Sequence, residues 1–473
     1  MNRKGSSSRD PDDERGLDGE PTAKRHRRSG DLGPERDRAW SGRRAAERAV
    51  LVGVVLQRDS RAVTEEHLDE LELLARTAGA EPVGRLVQER SEINVRTFIG
   101  RGKVEELAEL CKSTEANLVI FDDTLAPAQA RNLESVLDRN VIDRTELILD
   151  IFARHARTRE AKLQVELAQL QYMRPRLRRL WDHLSRQSGG IGTRGPGETQ
   201  LEVDRRRVGE KIAHIKELLR DRRTVAETQR KGRGGAYAAA LVGYTNAGKS
   251  SLLNALAGTD LLTEDKLFST LDATTRRVPL PGGHEALVTD TVGFIRKLPH
   301  DLVASFRVTL EEINAADLLV HVADVTSPSL EAHIDTVNEV LGEILDGPRD
   351  TVIVFNKMDM LADRDDVARL QRHYPEAVFA SARTGEGLDD LRQRVVDRLL
   401  RGSVELDLVV LRRHDRVLSY CYREGRVEAH EQREDGHQRL RVRFPPAAFR
   451  RLQRLHAGDF ALDGAPATGG ERT

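Results

Sequence analysis

Residues 238–250 read AAALVGYTNAGKS, a short apolar run that enters a glycine-bounded loop ending in Lys249 and Ser250. The next residues, SLLNALAG, favour a helix. The spacing G-x-x-x-x-G-K-S is typical of a loop whose backbone N–H groups surround phosphates, with the lysine on the β- and γ-phosphates and the serine on Mg²⁺. The stretch therefore predicts a phosphate-binding loop in an α/β domain. Its candidate residues are Gly243, Tyr244, Thr245, Asn246, Ala247, Gly248, Lys249, Ser250 and Ser251.

Three further motifs follow in order, each after an apolar run of the strand type. Asp290-Thr291-Val292-Gly293 offers a carboxylate for Mg²⁺ and a glycine N–H for the γ-phosphate. In Asn356-Lys357-Met358-Asp359, the aspartate can accept from N1–H and N2–H₂ of guanine, and adenine would leave it unpaired. Ser381-Ala382-Arg383 offers a backbone N–H to guanine O6. The four motifs together predict a Mg²⁺-dependent domain that binds GTP and GDP and hydrolyses GTP.

The switch segments of this domain are less well defined by sequence. The stretch LFSTLDATTRR, residues 267–277, must supply a threonine for Mg²⁺ and the γ-phosphate, and Thr270, Thr274 and Thr275 all qualify by chemistry. Phe294 follows the DTVG motif, where Ras-type enzymes carry a glutamine that orients the attacking water. Because phenylalanine cannot hydrogen-bond to water, slow intrinsic hydrolysis is expected. Either K⁺ bound beside Asn246 or a bound ribonucleoprotein could supply the missing assistance.

The rest of the chain divides into segments with different patterns. Strand-like runs at residues 50–56, 83–87 and 117–121 alternate with helix-like stretches, one of them capped by Thr64, which predicts a small α/β domain with a mainly parallel sheet. Strand-like runs at 406–411 and 440–444, a turn at 423–426 and a helix at 447–455 predict a small α+β domain. The predicted organisation is a disordered tail (1–45), an N-terminal α/β domain (46–150), a helical hairpin (151–232), a Ras-like phosphate-loop GTPase domain (233–402) and a C-terminal α+β domain (403–473).

The predicted hairpin is basic and has an unusual centre. Residues 154–233 contain 21 Lys/Arg against 10 Asp/Glu, and leucines and isoleucines at helical spacing flank the polar stretch SRQSGGIGTRGPGETQLE, residues 185–202. Two antiparallel helices would bury the two apolar faces against each other and place this stretch at the tip. Its glycines allow close backbone approach, and basic helices favour phosphate contacts, so we favour insertion into structured RNA over a solvated turn. The candidate RNA-binding residues are Arg186, Gly189, Gly190, Gly192, Arg194, Gly195, Gly197, Arg205 and Arg206.

Composition excludes several other classes of protein. The formal net charge is -1, so affinity for nucleic acid shows only in the charge segregation along the chain. Cys111 and Cys421 are the two cysteines and lack metal-ligand spacing, which indicates a reducing compartment and argues against a disulfide framework or a zinc site. No apolar run is long enough for a membrane span, and residues 1–45 lack the apolar region of a signal peptide. These observations predict a cytoplasmic protein.

The motifs resemble one family in detail. SGGIGTRGPGETQLE, the DTVGF sequence with phenylalanine after glycine, FDDTLAPAQARNLE at 121–134 and IGRGKVEEL at 99–107 are similar to those of the HflX GTPases over about residues 48–402. Alignment with that family selects Thr270, within Phe268-Ser269-Thr270-Leu271-Asp272, as the Mg²⁺ threonine, and Ser269 replaces the usual alanine. With Lys249 and Gly293, Thr270 completes the expected catalytic set.

The resemblance also implies partners and a cellular role. It implies a translation factor that binds the large ribosomal subunit and the 70S ribosome in the GTP state, with the hairpin tip near the peptidyl-transferase centre. Family members dissociate stalled or stressed ribosomes, and some contribute to antibiotic resistance. We expect a monomer in solution. The alternative is a GTP-regulated RNA-binding factor in ribosome assembly or tRNA modification.

Overall fold

The structure is a computed structural model, and part of the chain is described in it. The described residues are 47–57, 60–177, 197–231, 237–258, 267–268, 271, 273–297, 312–361, 365–399, 401, 404–411, 414–433, 436–444, 448–449, 452–453, 456 and 459–462, with backbone alone for 197–201, 222–231 and 365. Within these residues, no helix is long and apolar enough to cross a lipid bilayer.

The N-terminal segment alternates strands with helices, as predicted. Its elements are β1 (Glu47–Leu56), α1 (Arg61–Thr77), β2 (Ala80–Arg90), α2 (Arg101–Ser113), β3 (Leu118–Phe121), α3 (Pro127–Leu137) and β4 (Asn140–Asp143). The four strands form a parallel sheet in the order β2-β1-β3-β4. Both faces of β1 are buried, because Leu51 and Val52 point into different apolar clusters. The predicted cap Thr64 is wrong: Ser60 caps α1 through Val63 N, and Thr64 lies buried within the helix.

Helix α4 (Arg144–His155) completes the N-terminal segment. The basic hairpin follows and consists of α5 (Arg159–Met173), a short 3₁₀ turn (Arg174–Arg176) and the long α6 (Gly197–Lys231). The contact between α5 and α6 is an apolar seam of Leu163, Leu167, Leu170, Val208, Ile212, Ile215 and Leu219. Lys211 Nζ and Glu166 Oε1 also pair across it at 2.6 Å. This seam agrees with the predicted contact between two apolar helix faces. Of the predicted tip stretch 185–202, residues 185–196 lie outside the described part of the chain, and residues 197–202 form the start of α6.

A six-stranded sheet follows, in the order β10-β9-β8-β5-β7-β6. Its elements are β5 (Tyr237–Gly243), α7 (Lys249–Ala257), β6 (Thr274–Leu280), β7 (His284–Asp290), β8 (Leu318–Asp324), α8 (Leu330–Ile344), β9 (Thr351–Asn356), α9 (Asp365–His373), β10 (Val378–Phe379) and α10 (Leu388–Leu399). All strand pairs are parallel except β6–β7, at the edge. The prediction of a phosphate-loop α/β domain is confirmed. The carboxyl ends of β5, β7, β9 and β10 carry the four sequence motifs, so parallel strand order brings the motifs to one edge.

The C-terminal strands form an antiparallel sheet in the order β12-β13-β11-β14. The elements are β11 (Val404–Val410), α11 (Asp415–Glu424), β12 (Arg426–Gln432), β13 (Gln438–Phe444) and β14 (Phe460–Leu462). Helix α11 was not predicted, and the predicted turn at 423–426 is the junction between α11 and β12. The predicted helix at 447–455 lies largely outside the described residues. Arginines of β13 pair across strands with acidic residues, in the ion pairs Arg443–Glu405, Arg443–Glu428 and Arg441–Asp407. Acidic neighbours therefore offset much of the positive charge on this face.

One apolar core crosses from the N-terminal sheet to the six-stranded sheet. It contains Leu51 of β1, Phe152 of α4, Val165 of α5, Val242 of β5, and Phe294 after the DTVG motif. Because such close-packed interiors transmit displacement, the side of the six-stranded sheet that bears the phosphate loop is mechanically joined to the N-terminal helices.

Candidate nucleotide site

The phosphate loop connects β5 to α7 and is ordered around Lys249. The ammonium group of Lys249 donates to the backbone oxygens of Gly243 and Tyr244 at 3.1 and 2.9 Å. Burial lowers the pKa of Lys249 to about 8, an effect that the nearby Asp290 carboxylate partly offsets. A buried cation whose listed partners are two neutral carbonyls gains strongly from an arriving polyanion, which suits a residue that binds phosphates.

The loop is tied to the base-binding segment through Asn356. Asn356 Nδ2 donates to the Ala247 oxygen at 2.9 Å, and Asn356 Oδ1 accepts from Ala382 N at 3.0 Å. Gly248 has φ +88°, and a Cβ at this position would collide with Asn356 Nδ2. Only glycine combines this backbone conformation with so close an approach. The predicted donor to guanine O6, Ala382 N, is thus engaged by Asn356 in this structure.

The oxygen donors expected for Mg²⁺ are adjacent. Ser250, at the start of α7, donates its hydroxyl to Asp290 Oδ2 at 2.5 Å, and Asp290 is buried at the end of β7. Next to it, Thr291 Oγ1 donates to the Leu241 oxygen at 2.7 Å and fixes the motif on β5. Hard oxygen donors in this arrangement fit Mg²⁺. The remaining predicted ligand, Thr270, and its neighbour Ser269 lie outside the described residues, whereas Thr275 bonds to Thr289 across β6–β7 at 2.9 Å.

Gly293 and Phe294 pack against the phosphate loop. Phe294 N donates to the Gly243 oxygen at 3.1 Å, and Thr245 N donates to the Phe294 oxygen at 2.7 Å. A Cβ on Gly293 would lie 2.8 Å from Thr245 Cα and 3.1 Å from Lys249 Nζ, so a side chain does not fit there. The Phe294 ring is buried in the core. Because a phenylalanine ring has no polar group, it cannot orient a water molecule.

In the Asn356-Lys357-Met358-Asp359 motif, the Asp359 carboxylate has one oxygen without an aligned hydrogen bond. Asp359 Oδ1 accepts from Ser381 Oγ at 2.6 Å. Asp359 Oδ2 is buried and, among the described residues, accepts no aligned hydrogen bond, although Arg383 Nη2 stands 2.7 Å away. A carboxylate oxygen without an aligned donor can still accept from a ligand that brings N–H groups, as guanine does. Lys357, with φ +67°, pairs with Asp324 Oδ2 at 2.6 Å.

Sequence reasoning missed a set of contacts behind the phosphate loop. The Tyr244 hydroxyl donates to Glu70 Oε1 of α1 at 2.7 Å and accepts from Arg296 N at 3.0 Å, and its ring stacks on His333 with centroids 3.8 Å apart. These groups border a cavity of about 250 Å³, which His321 also lines. No local pattern connects Glu70 with Tyr244, because the pairing depends on how two sheets pack.

The predicted RNA-binding residues fall into two groups. Gly197 is the first residue of α6, and Arg205 and Arg206 are exposed on that helix, where Arg206 lies 3.7 Å from Glu210. The others, Arg186, Gly189, Gly190, Gly192, Arg194 and Gly195, lie outside the described residues. The described part of the hairpin thus shows exposed basic side chains, and the tip stays a prediction.

The chain matches a consistent set of family profiles. Residues 65–153 match the family described as GTP-binding GTPase N-terminal, 155–233 the GTP-binding GTPase Middle Region, 238–357 the 50S ribosome-binding GTPase, and 366–461 the HflX C-terminal domain. Two of the similar proteins are both described as GTPase HflX. The protein from Caldanaerobacter subterraneus subsp. tengcongensis is 46% identical over 394 residues, covering 81% of this chain and 88% of the relative. The protein from Escherichia coli K12 is 44% identical over 411 residues, covering 86% and 96%.

Solved structures include similar chains. A GTP-binding protein from the hyperthermophilic archaeon Sulfolobus solfataricus, in complex with GDP, is 24% identical, with a TM-score of 0.39 and coverage of 74% of this chain and 98% of that chain.

Proposed function

The chain belongs to the HflX family of GTPases and hydrolyses GTP, and from this premise we propose that it binds the large ribosomal subunit and dissociates stalled or stressed 70S ribosomes. In this proposal, the glycine-rich hairpin tip enters ribosomal RNA near the peptidyl-transferase centre. The protein acts in the cytoplasm as a monomer, and GTP sets its affinity for the subunit.

The basic hairpin is the observation that carries the proposal. On α6, the side chains of Arg205, Arg206, Arg207 and Lys216 are exposed, whereas Val208, Ile212, Ile215 and Leu219 lie in the seam with α5. Because the two helices bury their apolar faces against each other, their charged faces stay accessible to a polyanion. Since most affinity for RNA comes from phosphate contacts, such a surface fits ribosomal RNA better than a protein groove.

We propose a role for each residue of the nucleotide site. Lys249 would balance charge on the β- and γ-phosphates, Gly293 N–H would sense the γ-phosphate, and Asp359 would read guanine. Ser250, Thr270 and, through water, Asp290 would hold Mg²⁺, which when bound neutralises phosphate charge. The lining of the site by residues 243–251, Phe268, Ser269, residues 290–293, Asn356, Lys357 and residues 381–383 belongs to the same proposal.

Activation from outside follows from Phe294. Its ring is buried and cannot hydrogen-bond to water, so the chain has no side chain at this position that orients the attacking water. We propose that intrinsic hydrolysis is slow and that the ribosome accelerates it. K⁺ bound beside Asn246 is a second contribution, and the two are separable by experiment.

The test is steady-state GTP hydrolysis with and without purified large subunits, in K⁺ and again in Na⁺, followed by sucrose-gradient analysis of 70S ribosomes. We expect acceleration by subunits in both salts and a GTP-dependent loss of 70S particles. Acceleration by K⁺ alone, with no response to subunits, would overturn ribosome gating. Binding confined to precursor particles would replace it with a role in ribosome assembly.

A matched pair of variants tests the hairpin. Arg205→Ala/Arg206→Ala removes two charges from α6, and Arg101→Ala/Lys112→Ala removes two from exposed sites on α2. We expect weaker subunit binding and a shallower salt dependence for the first pair alone, with unchanged hydrolysis in the absence of subunits. Equal subunit affinity for both pairs would contradict the assignment of α6 to RNA.

A further inference from the structure

Helix α4 contacts the first switch segment directly through Phe152. Its Arg144 pairs with Glu70 and Asp122, which in turn hold the segment after the DTVG motif, and its cap residue Asp143 contacts the end of α5. We propose that α4 couples the nucleotide site to the hairpin, and that Glu70, Asp122 and Phe152 of the N-terminal segment are the positioning residues that connect the switch segments to this helix. The intramolecular coupling stands on described contacts, while its consequence for RNA binding rests on the proposed function.

The segment that follows the DTVG motif is held by carboxylates of the N-terminal sheet. Lys297 Nζ lies 2.6 Å from both Asp122 Oδ2 and Asp123 Oδ1, at the carboxyl end of β3. Arg296 Nη2 lies 3.0 Å from Glu70 Oε2 on α1. The order β2-β1-β3-β4 reverses between β1 and β3, and this is where open parallel sheets bind their ligands. Here a segment of the same chain contacts that edge.

Arg144, the first residue of α4, holds two of the same carboxylates from inside. It is 2% exposed, and its Nη1 and Nη2 lie 2.8 Å from Asp122 Oδ1 and 3.0 Å from Glu70 Oε1. Burial opposes ionisation of Glu70, yet Arg144 and Arg296 together hold its pKa below the usual value. Moving Arg296 and Lys297 away would leave an incompletely compensated buried charge. The network therefore responds to displacement of the switch.

The other switch segment contacts the same helix two turns further on. The ring of Phe268 packs edge-on against Phe152 of α4, with centroids 4.6 Å apart at 81°. Phe268 is buried, has φ +59°, and its N–H donates to Thr245 Oγ1 in the phosphate loop at 3.2 Å. Phe152 lies eight residues after Arg144, or about 12 Å along the helix axis. Helix α4 thus contacts one switch segment directly at Phe152 and reaches the other from Arg144 through the Glu70 and Asp122 carboxylates.

The hairpin is fastened to the residue that begins this helix. Asp143 caps α4 by accepting from Glu146 N at 3.0 Å. It also accepts from the Tyr172 hydroxyl at 2.9 Å, at the carboxyl end of α5, and from Arg176 Nη2 at 3.3 Å, in the 3₁₀ turn that follows. The Arg176 guanidinium stacks on the Tyr172 ring at 3.6 Å and donates to the Leu125 oxygen at 2.8 Å. A shift of α4 therefore moves the anchor of the hairpin.

This arrangement predicts a linkage between two distant sites. GTP must bring its γ-phosphate beside Lys249, where Gly293 already leaves no room for a side chain. A shift of Gly293 would displace Arg296 and Lys297, which follow it in the chain. These residues would in turn displace Glu70 and Asp122, and with them Arg144 and the adjacent cap residue Asp143. Linkage is reciprocal. If exchange of GDP for GTP changes the affinity of the hairpin for its partner by a given factor, binding of that partner must change the ratio of the GTP and GDP affinities by the same factor.

The test measures the distance between spin labels on the hairpin and on the GTPase domain. Glu202→Cys on α6 and Arg369→Cys on α9 introduce exposed labelling sites. The native cysteines are buried, and burial raises the pKa of both thiols, so they do not compete for label. We expect the distance distribution to differ between GDP and a non-hydrolysable GTP analogue in the otherwise unchanged protein.

Two variants should abolish that difference. Phe152→Leu keeps an apolar side chain but removes the ring contact with Phe268, and Lys297→Ala removes the contacts with Asp122 and Asp123. Lys112→Ala, which breaks an exposed ion pair with Glu109, is the control for the second and should retain the difference. GDP affinity should stay within about threefold throughout, because no substituted residue contacts the base-binding groups. The ratio of subunit affinities between the GTP and GDP states should fall at least about fivefold.

The outcomes separate this inference from the proposed function. Folded Phe152→Leu and Lys297→Ala proteins that keep the full nucleotide-dependent distance change would overturn coupling through α4, as would a starting protein that shows no change. A nucleotide-dependent distance change that both variants lose, in a protein that large subunits do not activate, would leave the coupling standing and refute the ribosomal role.

Discussion

Replacement of Asp359 by asparagine tests the base-recognition assignment most directly. The Asp359 side chain is 9% exposed, Ser381 holds Oδ1, and Oδ2, which lies 2.7 Å from Arg383 Nη2, accepts no aligned hydrogen bond among the described residues. We expect Oδ2 to accept from the N–H groups of guanine. In Asp359→Asn, an amide presents donors to donors and the negative charge is lost. Removing one partner of a buried charged hydrogen bond costs about 2–5 kcal/mol. At about 1.4 kcal/mol per factor of ten, GDP affinity should fall about 30-fold to about 4,000-fold.

The assay is equilibrium binding of GDP and of xanthosine diphosphate by calorimetry. Xanthine carries a carbonyl where guanine carries its N2 amine, so the asparagine amide can donate to it. We therefore expect Asp359→Asn to reverse the preference, with the xanthine nucleotide bound more tightly than GDP.

The control is Asp366→Asn, an exposed carboxylate on α9 that pairs with Arg369 at 3.5 Å. It makes the same chemical change at an exposed position outside the motifs and should leave both affinities unaltered. If Asp359→Asn bound GDP as the unchanged protein does and gained nothing with the xanthine nucleotide, the reasoning from the Oδ2 geometry would be refuted.

Three further predictions concern the phosphate loop, the switch and the hairpin. The pKa of Lys249 is about 8 in the free site, and phosphates favour its charged form. GTP affinity should therefore be constant below pH 8 and fall by up to about tenfold per pH unit above it. Calorimetric titrations that give the same GTP affinity up to about pH 9.5 would contradict this. Gly293→Ala, whose methyl group would lie 2.8 Å from Thr245 Cα, should lower hydrolysis about 100-fold, and single-turnover rates equal to those of the unchanged protein would count against a role for Gly293. Ile215→Ala, at a seam position 2% exposed, should lower the free energy of unfolding in urea by about 2–5 kcal/mol, whereas Lys216→Ala on the exposed face should change it little; equal effects would show that the seam is not packed as described.

Local sequence patterns were sufficient where backbone chemistry and short spacing dominate. The apolar runs before the four motifs became β5, β7, β9 and β10, because buried parallel strands need β-branched and small apolar residues on both faces. Elements with mixed composition were missed. Strand β6, TTRRVPL, is an edge strand with arginines and a proline, and α11 carries its apolar residues at only a few positions. The cap of α1 was misplaced by one turn because Ser60 and Thr64 are both capping residues, and sequence alone does not show where the chain enters the helix.

The sequence by itself determined that this protein has a nucleotide site with GTPase motifs and a basic hairpin, since each depends on residues close together in the chain or on helical periodicity. Only the tertiary structure decided how these parts are joined. Lys297 meets Asp122, Arg296 meets Glu70 and Phe268 meets Phe152 across separations of more than 100 residues. Such pairs follow from the packing of two sheets around one core, and no local propensity encodes which surface of one sheet faces the other.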